Sequence, residues 1–137
     1  MVINSNTTGA SVIRASTDVA VAGLVLHRQT GDAHVGDSAD ANKLWVNAAI
    51  VIAPNATNEV GAPHTFTVTV LQDTGSGLTP VGAGLPCNVT LTNGNGAVAV
   101  PAGPFNLTTN ASGQCQVTFT STTAGTALST CMAVARH

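Results

Sequence analysis

The side chains that could carry out chemistry are few and scattered in this chain of 137 residues. None of its four histidines stands in a recognisable motif with a nucleophile and a carboxylate, the arrangement that covalent or acid–base catalysis needs. The sequence therefore predicts a protein that is not an enzyme and has no cofactor. Asp32, Asp37 and Asp40 could offer oxygen ligands to calcium, but their spacing matches no EF-hand loop. We expect solvated residues here and no metal site.

The three cysteines are Cys87, Cys115 and Cys131, and no CxxC pair occurs, which argues against a zinc or thioredoxin-like site. Cys87 and Cys115 fall on the inward faces of two predicted strands that can oppose each other. The sequence thus predicts a Cys87–Cys115 disulfide in an oxidising compartment, with two buried thiols as the alternative. The alternation of side chains along its strand places Cys131 on the outward face. Its thiol is expected to be free or to form an intermolecular disulfide.

Composition excludes several classes of partner. Charged residues make up only 7 % of the chain and the net charge is −2, which gives no electrostatic basis for binding nucleic acid. No apolar run approaches the roughly 20 residues of a membrane helix, so no membrane insertion is expected. A surface built from Thr, Asn, Ser and Gly has little charge repulsion. Such a surface suits a subunit that associates with copies of itself, or an inert stalk.

Five Asn-x-Ser/Thr sequons are candidate glycosylation sites on surface turns of a secreted protein. In a chain this rich in Asn and Thr, chance occurrence is the alternative explanation. The five asparagines are Asn6, Asn55, Asn88, Asn106 and Asn110.

Short alternating runs bounded by Gly, Pro, Asn and Asp dominate the chain, which predicts an all-β fold. The clearest strand is 64–70, with Phe66, Val68 and Val70 on one face. About seven short strands follow one another, as in an immunoglobulin-like β-sandwich. Other residues predicted to face the core are Val46, Ala48, Ile50, Ile52, Cys87, Val89, Leu91, Cys115, Val117, Phe119, Leu128, Met132 and Val134.

The two ends of the chain are similar to each other. Residues 7–10 match 122–125, and residues 19–22 match 132–135. The N-terminal copy continues through a predicted two-residue turn, Ala22-Gly23, into a further strand, whereas the C-terminal copy stops. We therefore expect a domain without its closing strand, with such a strand at the other end. The predicted organisation is a donor segment (1–31), a linker (32–44) and a sandwich domain (45–137).

Several motifs resemble the bacterial immunoglobulin-like repeats that occur in tandem in surface proteins of the invasin and intimin kind. The residues that carry the resemblance are Trp45-Val46-Asn47-Ala48 and the stretches 56–61, 63–70 and 111–120. The resemblance implies an extracellular, cell-surface location. It also implies that residues 9–45 correspond to the junction between two repeats, with a closing hairpin, an Asp-rich linker and Trp45 opening the next domain.

Two functions follow as hypotheses. In the first, the chain is a structural subunit of an extracellular filament, assembled head-to-tail by donor-strand complementation between copies. Its groove-filling side chains would be Val19, Val21, Leu24 and Leu26. In the alternative, the chain is a spacer or adhesin module of a tandem-repeat surface protein, and the N-terminal hairpin belongs to the preceding repeat.

Overall fold

The computed structural model of the chain describes residues 1–133, which form strands and no helix. The all-β prediction is therefore confirmed. The chain divides into two compact units. The first comprises residues 1–47 together with 74–76, and the second comprises residues 48–73 and those from 77 onward.

The first unit is made of two antiparallel strand pairs. Strand β1 pairs with β4, and β2 pairs with β3 in a hairpin. The strands are β1 (Gly9–Ile13), β2 (Ser16–Val21), β3 (Leu24–Gln29) and β4 (Ala41–Trp45). Strand β4 begins inside the predicted linker (32–44), and it ends at Trp45, the predicted first residue of the sandwich domain. Its pairing with β1 depends on backbone hydrogen bonds, which leave little trace in the side-chain pattern.

The hairpin closes at the turn that the sequence predicts. Val21 lies directly opposite Leu24, so Ala22 and Gly23 form a two-residue loop. Their φ angles are 50° and 82°, and two-residue loops with positive φ at both positions match the twist of antiparallel strands. Gly adopts this conformation freely, whereas alanine is strained in it.

Replacing Ala22 with asparagine is expected to stabilise the hairpin by about 0.5–1 kcal/mol, because asparagine tolerates positive φ better than alanine. Hydrogen exchange of the β2 and β3 amides measures the gain. Gly23→Ala is the opposite control and should speed exchange of the same amides. Equal exchange rates in both variants would contradict the assigned turn.

The second unit contains eight strands within the described residues, two of them only two residues long, where the sequence predicts about seven. One sheet has the order β10-β8-β12, and the other has the order β5-β6-β11-β9 with β7 added to β6. The strands are β5 (Asn47–Ala53), β6 (His64–Asp73), β7 (Thr79–Pro80), β8 (Pro86–Gly94), β9 (Ala99–Val100), β10 (Phe105–Thr108), β11 (Gln114–Ser121) and β12 (Thr126–Ala133).

Both sheets contribute to one hydrophobic core, as alternation of side chains on β6, β8 and β11 predicts. The buried core residues are Phe66, Val68, Val70, Val81, Cys87, Val89, Ala99, Cys115, Val117 and Phe119. On the outward faces of β6 and β11, threonine and glutamine side chains form hydrogen bonds with each other across the two strands. The Thr65 and Thr118 hydroxyl oxygens are 2.7 Å apart, and the Gln116 amide donates to Thr67 at 3.1 Å. This neutral ladder gives a polar surface without charges.

The predicted inward face of β5 is wrong in part. Only Ile52 packs against the core; Ile50 is 41 % exposed, Ala48 is exposed and Val46 precedes the strand. Strand β5 lies at the edge of its sheet, and its partly buried positions, Ala49 and Ile52, are three residues apart. Strict alternation therefore does not hold along it.

The predicted inward face of β12 is also wrong. Leu128 and Met132 are each 68 % exposed, whereas Ala127, Cys131 and Ala133 pack against the core. The register with β8 sets this parity, because Cys131 lies opposite Val89 and Ala133 opposite Cys87. Side chains directly opposite in an antiparallel pair share a face. Val134, predicted to face inward, lies outside the described residues.

Candidate functional site

The chemistry-bearing side chains do not converge. Within residues 1–133, no three His, Cys, Asp or Glu side chains are grouped so that they could hold a metal ion. His27 Nδ1 lies 2.7 Å from Asp18 Oδ1 on the exposed hairpin, and His64 Nε2 lies 3.0 Å from the Pro54 carbonyl. In the acidic stretch, Asp32 makes a local contact: it accepts a hydrogen bond from the His34 backbone N–H at 3.0 Å.

Asp40 joins the two strand pairs of the first unit. Arg14, just after β1, donates to Asp40 Oδ2 from Nη2 at 2.8 Å and from Nε at 3.1 Å. Thr30, just after β3, donates to Asp40 Oδ1 at 2.7 Å. The hydrogen bonds from Arg14, followed by that from Thr30, hold the pKa of Asp40 below its ordinary value. The carboxylate therefore has a structural role where the 31–40 loop leaves the strands.

The predicted disulfide is present. Cys87 on β8 is bonded to Cys115 on β11, with a Cα–Cα distance of 6.6 Å. The bond links the two sheets of the second unit through the buried core, since both cysteines are core residues. A disulfide is compatible with an extracellular or otherwise oxidising environment.

Cys131 is a free thiol, but its predicted outward orientation is wrong. It is partly buried and packs against the same core as the disulfide. Burial raises the pKa of its thiol, which favours the unreactive protonated form.

The four residues predicted to fill a groove lie on one face of the hairpin. Val19 is directly opposite Leu26, and Val21 is directly opposite Leu24, so all four side chains point the same way. Leu26 is partly buried, while Leu24 remains 67 % exposed. The other face carries Asp18 opposite His27. The hairpin therefore has one apolar face and one more polar face.

The second unit has an open sheet edge along β12. In the part of the chain that the structure describes, β12 pairs only with β8 and forms the end of the three-stranded sheet. Its inward side chains Ala127, Cys131 and Ala133 are only partly buried, as is Leu91 on β8. An edge of this kind presents unpaired backbone N–H and C=O groups to another strand.

A cavity of about 280 Å³ lies beside the start of this open edge. Three aromatic rings line its wall: Phe66 stacks with Phe119 at a centroid separation of 5.7 Å, and His64 meets both rings edge-on at 4.5 and 6.1 Å. The 123–125 turn and Ala127 line another side, and the 56–62 loop supplies Glu59, the one acidic residue of the wall. The aromatic end of the buried core therefore lines this cavity.

Strands β1 and β12 share a local pattern of burial. A glycine with positive φ precedes or opens each strand, at 128° for Gly9 and 156° for Gly125. Counted from these glycines, the outward positions Val12 and Leu128 coincide, and so do the partly buried positions Ser11 and Ala127. This register differs by one residue from the sequence match of 7–10 with 122–125. Within the described residues, β1 pairs with β4, whereas β12 pairs with β8 and ends its sheet.

The five sequon asparagines are all exposed, but their settings differ. Asn6 and Asn55 lie in loops. Asn88 and Asn106 face each other on neighbouring strands, and the Asn110 side chain accepts hydrogen bonds from the backbone of Ser112 and Gln114. Glycosylation at any of them stays a prediction, and the loop positions are the least constrained.

No helix within the described residues is long and apolar enough to cross a membrane. Comparison with protein families, with curated proteins and with solved structures gave no match to this chain.

Proposed function

We propose that the protein is a structural, non-enzymatic module of an extracellular surface protein built from tandem immunoglobulin-like units. In this proposal, a neighbouring unit supplies the strand that closes each sandwich at β12. One observation carries the proposal: within the described residues β12 ends its sheet at an uncovered edge, and β1, which follows a similar pattern after a positive-φ glycine, is covered by β4.

The strand order supports an immunoglobulin-like assignment. In a constant-type immunoglobulin domain one sheet has the order A-B-E-D, and the other contains C, F and G. The order β5-β6-β11-β9 corresponds to A-B-E-D, and the neighbours β8 and β12 correspond to C and F. The position of G is then the open edge of β12, and β10 is an additional strand beside C. The Cys87–Cys115 disulfide clamps this sandwich in an oxidising environment.

The folded hairpin favours the tandem module over the filament subunit. A donated segment enters its acceptor as an extended strand, but β2 and β3 are already paired with each other from Ser16–Gln29 to Val21–Leu24. Strand β4 is likewise paired with β1, and Asp40, just before β4, forms an ion pair with Arg14, just after β1. These pairings support the proposal that residues 9–45 are a junction between two repeats.

A graft tests the proposal. The variant is the chain 1–133 with a second copy of residues 18–46 fused directly to its end. Residue 133 corresponds to residue 17 in the β1–β12 register, so the added residues should continue β12 without a shift in register. The added copies of β3 and β4 should then pair with the edge of the extended β12. We expect a gain of at least about 1 kcal/mol, which corresponds to roughly 4–8 °C in Tm for a unit of this size.

The control graft has the same length, with Gly and Ser in place of the residues of β3 and β4. Hydrogen exchange should show newly protected β12 amides only in the graft with the native strands. Equal Tm values and equal β12 exchange in the two grafts would refute the closing role of these strands.

A filament assembled from copies is the second candidate function, and the exposed apolar face of the hairpin is the observation that favours it. Light scattering and electron microscopy of the full chain separate the two, since the module should remain monomeric at high concentration. In a filament, Leu26→Asp should abolish assembly, because it places an unpaired charge in an apolar groove. Val25→Asp, on the other face, should not. Fibres formed by the full chain and by Val25→Asp, but not by Leu26→Asp, would establish the filament function.

A further inference from the structure

We infer that the cavity beside the start of β12 is a socket for the indole ring of a tryptophan equivalent to Trp45 in the neighbouring repeat, presented on a β4-type strand that pairs with β12. This inference deepens the proposed function and rests on it, because it names the segment and the side chain that complete the open edge.

The β1–β4 register fixes which residues a β4 strand would place opposite β12. Gly9 lies opposite Trp45, Ser11 opposite Lys43, and Ile13 opposite Ala41. Because Gly9 corresponds to Gly125, a β4 strand on the edge of β12 would place Trp45 opposite Gly125. Lys43 would then lie opposite Ala127, which is one of the inward positions of β12.

The strand face on which Trp45 lies sets the direction of its indole. Residues directly opposite in an antiparallel pair share a face, and the Trp45 Nε1–H indeed donates to Ser11 Oγ at 2.9 Å. Ser11 corresponds to Ala127, which lines the cavity. The indole of a β4 strand on β12 would therefore point into the cavity and away from solvent.

The cavity has room for a large side chain. Its volume of about 280 Å³ lies at the lower end of the range for small-molecule sites, about 300–1,000 Å³. Phe66 and Phe119 offer ring faces and edges to an indole, and aromatic pairs are favourable beyond the area they bury. Ala127 cannot accept the indole N–H as Ser11 does, but the Thr123 hydroxyl on the wall donates to the Gly96 carbonyl and can itself accept the indole N–H.

The charges at the mouth of the cavity are complementary. Lys43 lies with its Nζ 5.5 Å from the centre of the Trp45 ring, so the strand that brings the indole also brings a cation. Glu59 is the one acidic residue of the cavity wall. Lys43 and Glu59 can thus form a charge pair at the rim, which favours this strand in this orientation.

The test uses the fact that the chain has a single tryptophan. The full chain carrying Trp45→Phe is the acceptor, and a synthetic peptide of residues 24–46 supplies the only indole. We expect the peptide emission to shift to the blue and to resist acrylamide quenching when the acceptor is added. Ala127→Leu in the acceptor should abolish both effects by filling the cavity, whereas Leu128→Ala, on the outward face, should leave them unchanged.

A second acceptor variant guards against a folding defect in Ala127→Leu. Glu59→Lys changes only an exposed loop side chain, and it should weaken peptide binding about tenfold through repulsion of Lys43. Peptide binding that protects the β12 amides from exchange while the indole emission stays water-like would overturn the socket and leave the proposed function standing. An absence of both effects at millimolar peptide would overturn the inference, and the graft tests the proposed function independently.

Discussion

Replacing both Cys87 and Cys115 with alanine is expected to lower the free energy of unfolding of the second unit by about 3–4 kcal/mol. The two cysteines are 28 residues apart in sequence, and closing a loop of this length in the unfolded chain accounts for that amount in the chain-entropy model. Both side chains are core residues, so the loss of packing acts in the same direction. Urea unfolding of the parent chain and the double variant measures the difference.

Cys131→Ala is the matched control, because Cys131 is partly buried and makes no disulfide. It should cost less than about 1 kcal/mol, and it should not alter the response to reducing agent. A parent chain that unfolds at the same urea concentration with and without dithiothreitol would show that the disulfide contributes nothing to stability.

Strands β6, β8 and β11 could be predicted from the sequence because each alternates apolar and polar residues over at least five positions. On β12 the same rule fails. The largest apolar side chains there, Leu128 and Met132, are outward, and the small ones face the core. A shift of one residue exchanges the faces of a strand, and pairing with β8 decides between them. Sequence alone does not contain that register.

The hairpin could be predicted because two turn residues separate two apolar runs. Pairing of β1 with β4 could not, since Ala41, Asn42 and Lys43 show no apolar alternation and are held through their backbone. The cavity was also beyond prediction, because its wall is assembled from separate segments that only the fold brings together. Gly9 and Gly125 can be read from the sequence. Aligning β1 with β12 on these glycines, however, requires knowing which of the following residues are buried.

Replacing Gly125 with alanine is expected to destabilise the second unit by about 2–6 kcal/mol. Its φ of 156° lies in a region that is nearly exclusive to glycine, and another residue held there costs about 1–3 kcal/mol. A Cβ at this position would also lie 2.6 Å from the Gly94 carbonyl oxygen and 2.8 Å from Ala97 Cα. Both are backbone atoms that cannot rotate away, so overpacking adds about 1–3 kcal/mol.

Gly9→Ala is the matched control for this prediction. Gly9 has the same kind of backbone conformation, with φ of 128°, but a Cβ there would meet nothing within 4 Å. Its substitution should therefore cost only the conformational part, and it should affect hydrogen exchange in β1 and β4 without lowering the urea midpoint of the second unit. Since the two glycines correspond in the β1–β12 register, the difference between the variants isolates the close approach of Gly125 to the 94–97 turn. Equal losses in the two variants would mean that this close approach does not exist in solution.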